Sequence, residues 1–154
     1  MKGQNKINII GRKILEIRYK SFFLNLNRVC HIIALYFKLD NNMWYMLTSI
    51  DGNTNIKFQN EEPYLSDMKD LKNEFEYPIS HLNIDFLNEI DSIGKIEEYL
   101  WQGRKDESCG LLISSKRGIQ ISVIEKDDCL YIKKGHDNSL LKDCILTNYD
   151  FNHL

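Results

Sequence analysis

At 154 residues and 18.2 kDa the chain suits one domain, whose core can hold without metals or cross-links. An apolar fraction of 43%, with seven Phe, two Trp and eight Tyr, excludes a disordered tail, and only eight Gly and two Pro exclude a linker-rich or collagenous chain. Twenty Lys and Arg against 22 Asp and Glu leave a net charge of −2, which excludes a uniformly basic nucleic-acid binder.

The start is short and polar. Ile7, Ile9 and Ile10, interrupted by Asn8, make no apolar core of a secretory signal, so a soluble, cytoplasmic protein is expected. The longest apolar run, Val29 to Phe37, is under half the ~20 residues that a membrane helix needs. Cys30, Cys109, Cys129 and Cys144 lie in apolar or strand-like surroundings and are expected as four free, packed thiols.

From Arg12 to Tyr19 polar and apolar residues alternate, Ile14 alone breaking the pattern, which predicts a half-buried strand. Residues 29–39 are apolar on both faces and predict a central strand. Asp40-Asn41-Asn42 is a turn, Met43 to Ile50 a further strand, and Asp51-Gly52 a tight hairpin leading to Thr54–Phe58. The period then changes. Tyr64, Met68, Leu71 and Phe75 recur at helical spacing between Pro63 and Pro78, and a second, shorter helix is expected from Ile84 to about Ile90, capped by Asn83 and stopped by Gly94. Period two returns from Ile96: Cys109–Ser114 and Ile119–Glu125 flank Ser115-Lys116-Arg117-Gly118, and Lys126-Asp127-Asp128 turns into Cys129–Lys133. Residues 136–154 show neither period. The order predicts one α+β domain over 1–154, mostly antiparallel β hairpins with two short helices in the middle.

The charge is unevenly spread. Residues 1–60 carry net +6, residues 61–98 net −8, and the remainder is balanced. Asp67, Asp70 and Glu74 at +3 and +4 would share one helical stripe, with Glu89 and Asp91 on and just after the second helix. These five are the candidate partner-binding residues, placed to steer a basic partner.

Catalytic signatures are missing. The chain has no C-x-x-C, H-E-x-x-H, EF-hand, P-loop, G-x-G-x-x-G or G-x-S-x-G pattern, and no catalytic, cofactor-binding or metal-ligating residue is assigned. Cys30 and His31 are adjacent, so on a strand they point to opposite faces and cannot share an ion. Lys2, Lys6, Arg12, Lys13, Arg18, Lys20, Arg28 and Lys38, with Tyr19, Phe22 and Phe23 between them, leave a nucleic-acid-binding alternative, against which ordinary core aromatics and outer-face lysines are preferred. A small hydrolase using a carboxylate pair in 61–98 is the other alternative.

Met43-Trp44-Tyr45-Met46-Leu47 before Asp51-Gly52, Gly110-Leu111-Leu112-Ile113, Ile119-Gln120-Ile121-Ser122-Val123 and Asp127-Asp128-Cys129-Leu130-Tyr131-Ile132 together span about two-thirds of the chain. In style they resemble small bacterial immunity proteins of the contact-dependent growth-inhibition or polymorphic-toxin type. The resemblance implies a non-catalytic, cytoplasmic inhibitor without cofactor or membrane attachment, whose partner is a cognate toxin domain, often a nuclease. The near-neutral net charge departs from the acidic balance common among inhibitors of basic nucleases.

Overall fold

The structure is a computed structural model that describes residues 9–83, 85, 89–104 and 107–151. The alternating segments pair as expected. β1 (Ile14–Leu24), β2 (Asn27–Leu39), β3 (Trp44–Ile50) and β4 (Asn53–Gln59) form an antiparallel meander. β1 takes two short further partners on its other side, β5 (Phe75–Glu76) and β6 (Ile79–His81). A second antiparallel sheet has the order β10-β9-β8-β7-β11, from β7 (Ile93–Trp101), β8 (Ser108–Ser115), β9 (Gln120–Lys126), β10 (Cys129–Lys134) and β11 (Cys144–Asn148).

Turn chemistry sets the hairpins. Asp51-Gly52 (φ 51° and 78°) and Asp127-Asp128 (φ 53° and 64°) both take the left-handed pair of a two-residue hairpin turn, whose twist matches the flanking strands. The β1–β2 turn instead uses Asn25-Leu26 (φ 49° and 65°), a pair without glycine that the sequence does not advertise.

The inner faces meet in one apolar core. Leu35, Phe37, Leu39, Tyr45, Leu47 and Ile56 from the first sheet pack against Ile93, Ile96, Leu111, Ile113, Val123 and Leu130 from the second. Each such side chain contributes roughly 1.5–3 kcal/mol by leaving water. The sheets are also stitched at one side, where the Ile56 N–H donates to the Tyr149 hydroxyl at 2.9 Å and the Thr54 hydroxyl to the Ser108 carbonyl at 3.2 Å.

Each outer face carries a smaller apolar cluster. On the first sheet Ala34, Tyr36 and Trp44 are buried with Met46 and Ile79 against them. On the second Tyr99, Cys109, Leu112 and Cys144 pack with Trp101, Leu140 and Leu146. Residues 135–143 close over that cluster: Asp137 N–H donates to the Tyr99 oxygen at 3.1 Å, and the Tyr99 and Ser122 hydroxyls are 2.7 Å apart.

Two expectations fail. The fold is all-β, not α+β: helical structure among the described residues is confined to 3-10 turns such as Met68–Asp70 and Leu140–Lys142. The first expected helix is an extended segment, because its supposed core stripe has no surface to pack on. Tyr64, Met68 and Phe75 are 82%, 46% and 63% exposed, and a helix this short is not stable without an apolar face to bury. The second expected helix falls largely on residues 84 and 86–88, outside the described residues. The cysteine expectation also fails in part. Cys30 on β2 and Cys129 on β10 form a disulfide between the sheets, with Cα atoms 5.9 Å apart, whereas Cys109 and Cys144 are free and buried. Strands on facing sheets bring together residues that sequence distance holds apart. No helix among the described residues is long and apolar enough to cross a membrane.

Candidate functional site

Residues 64–77 form a strap between two buried prolines, Pro63 and Pro78, on the outer side of the first sheet. Both prolines anchor through their carbonyls. The Arg18 guanidinium on β1 donates to the Pro63 oxygen, and the Ser21 N–H on the same strand donates to the Pro78 oxygen at 2.9 Å. Between these anchors Ser66 braces the strap against β6. Its N–H donates to the Ile79 carbonyl at 2.9 Å, and its hydroxyl accepts from the Ile79 N–H at 2.9 Å.

Arg18 is the buried charge beneath one end. It donates to Glu16 and to Glu62, both at 2.7 Å, and its guanidinium lies 4.7 Å from the centre of the Trp44 ring. Burial works against its charge, but the hydrogen bonds and charges of Glu16 and Glu62 outweigh it, and its pKa rises above the ordinary arginine value. His81 adds its Nδ1 to Glu16 at 3.1 Å.

The strap shows solvent an unusual mixture. Tyr64, Leu65, Met68, Phe75 and Tyr77 are exposed large apolar side chains in one short stretch. Around them in sequence stand Glu61, Glu62, Asp67, Asp70, Glu74 and Glu76 against two lysines, Lys69 and Lys72. Phe75 and Tyr77 lie against Phe22 of β1 in a near-parallel stack, with centroids 5.9 and 5.2 Å from that of Phe22 and ring planes 3° and 15° from it.

The candidate residues divide between two places. Asp67, Asp70 and Glu74 are all exposed on the strap, not on a helical stripe, and Asp67 accepts the Lys69 N–H at 2.9 Å. Glu89 and Asp91 belong with the second sheet, where Glu89 pairs with Lys134 at 3.3 Å and Asp91 with Arg117 at 3.2 Å. Sequence reasoning placed Tyr64 and Phe75 in the core, named Arg18 only among the basic residues of the nucleic-acid alternative, and did not single out Tyr77. The signals that point to them are the paired prolines and the alternation Phe75-x-Tyr77, which has the period of a strand.

Elsewhere the surface offers less. A groove of about 530 Å³ runs past Tyr19, His31, His81, Cys129 and Tyr131, but the two imidazoles have different partners. His31 Nδ1 is 3.0 Å from the Arg28 guanidinium, and burial, then the Arg28 charge, lowers its pKa. Among the described residues no Asp or Glu is buried, and no group of three His, Cys, Asp or Glu side chains is placed to hold a metal ion. Comparison of the chain with protein-family models, with curated proteins and with solved structures finds no match.

Proposed function

We propose that the chain is a non-catalytic inhibitor of the bacterial immunity type, which binds a basic cleft of a cognate toxin domain with the strap side of its first sheet. The carrying observation is the strap itself, a stretch with exposed Tyr64, Phe75 and Tyr77 among four carboxylates, held in place at both ends. Apolar anchors in a charged surround are what affinity and partner choice require. The disulfide is at odds with the reducing cytoplasm expected from the sequence, so the reading rests on the surface and not on the compartment.

The alternatives gain less support. Of the basic residues of the first third, Arg12 pairs with Asp40 at 3.5 Å and Arg18 with Glu16 and Glu62, while Tyr19 packs against the core. A phosphate backbone thus meets a surface already partly neutralised. A carboxylate hydrolase would use a buried pair with separated pKa values, and none of the described carboxylates is buried.

The test is co-expression with the toxin domain encoded in the neighbouring reading frame. The protein should rescue growth and bind that domain directly. Asp67→Lys, Asp70→Lys and Glu74→Lys together should slow association at least ~10-fold at low salt, with the gap narrowing as salt rises. A neighbour that is no toxin, or a triple variant that associates and protects like the parent, would sink the reading.

A further inference from the structure

The ring stack is more specific than an apolar patch. Phe75 and Tyr77 remain 63% and 51% exposed although both are stacked on Phe22, so each still presents ring surface to solvent. Their backbones are fixed by pairing, Phe75 opposite Leu24 and Glu76 opposite Phe23, with the Pro78 carbonyl held by Ser21. The rings therefore stand on a sheet edge and not on a free loop, and little ordering remains to be done when something binds.

An aromatic face carries negative charge density, and the strap around it holds four carboxylates, Asp67, Asp70, Glu74 and Glu76, against two lysines. Both fields favour a cation and disfavour a phosphate. Among protein cations a guanidinium is planar and weakly hydrated and lies flat on a ring, whereas an ammonium is a compact, strongly hydrated point charge. The chain already makes this arrangement once, where Arg18 lies over Trp44 and keeps Glu16 and Glu62 at its edge.

We infer that the Phe22–Phe75–Tyr77 stack is a docking platform for an arginine side chain of the protein partner, with the strap carboxylates supplying the surrounding negative field. The inference rests on the protein-binding reading of the strap and adds the chemistry of the residue it receives. The probes are two fluorescein-labelled ten-residue peptides of equal charge, alternating Gly-Arg and Gly-Lys, followed by anisotropy at low ionic strength. The arginine peptide should bind about fivefold tighter than the lysine peptide. In Phe75→Ala/Tyr77→Ala that preference should fall within twofold while lysine-peptide binding is unchanged. Both side chains are largely solvent-facing, so the variant should fold, and circular dichroism and a melting curve verify it.

Equal affinity for the two peptides, no binding of either, or a preference that survives the double variant overturns the inference. So does tighter binding of a ten-nucleotide single strand, which would make the stack a base platform. None of these outcomes touches the toxin reading, which growth rescue decides separately.

Discussion

Arg18 is the one charged side chain buried among the described residues, and it does two things at once. It fills the space over Trp44, and it fastens the strap through the Pro63 carbonyl and Glu62. Replacement by Met keeps the volume and removes the donors. Because Glu16 and Glu62 retain contact with water, the cost should be below that of a fully buried pair, about 2–3 kcal/mol by urea denaturation. Amide exchange across residues 64–77 should quicken more than in β2 or β3, since the fastening is lost locally. Ile14 teaches a different lesson. It was the residue that broke the alternation of the first strand, and the register of β1 against β2 shifts between Ile14 and Glu16. That bulge turns Ile14 to the core and leaves Leu15 half-exposed, so the break in the pattern was the bulge itself.

At the scale of elements, the hairpins were legible because their turns need particular residues. Asp51-Gly52, Asp127-Asp128 and Gly118 (φ 88°) supply left-handed backbone where the chain reverses. The strap was not legible, because four apolar residues at +4, +3 and +4 have helical spacing by coincidence. The Asp67 carboxylate caps the single 3-10 turn Met68–Asp70 by accepting the Lys69 N–H, but Leu71 is already extended and the ends are tied to β1 in extended form. The cover over the second sheet, residues 135–143, has its own consequence. Beneath it burial, and then the neighbouring Cys144 thiol, pushes the Cys109 thiol up to about 12, and burial also raises Cys144. Unfolded thiols lose their protons near 8.5, so above that pH the unfolded chain binds fewer protons than the folded one. Stability should therefore fall as pH rises from about 8.5 towards about 12. At pH 8 iodoacetamide should spare both cysteines in the folded protein and alkylate both in urea, as intact mass will show.

At the scale of the molecule, the two sheets share a core but are also tied covalently. The Cys30–Cys129 disulfide closes a segment of 99 residues, a long loop to constrain in the unfolded chain. Reduction should lower the unfolding free energy by about 3–4 kcal/mol. Urea titrations with and without a dithiol should differ by that amount, and Cys30→Ser/Cys129→Ser should behave like the reduced protein. A midpoint insensitive to reductant would show that the tie contributes nothing.

The brace at the rim of the first sheet has a wider meaning. Pro78 stands between β5 and β6 and carries no N–H, while Ser66 occupies both backbone groups of Ile79. A foreign strand arriving at that rim finds no run of open donors and acceptors to copy. The same few atoms that hold out the aromatic rings thus keep this rim from serving as a template for a further strand beside an exposed apolar surface.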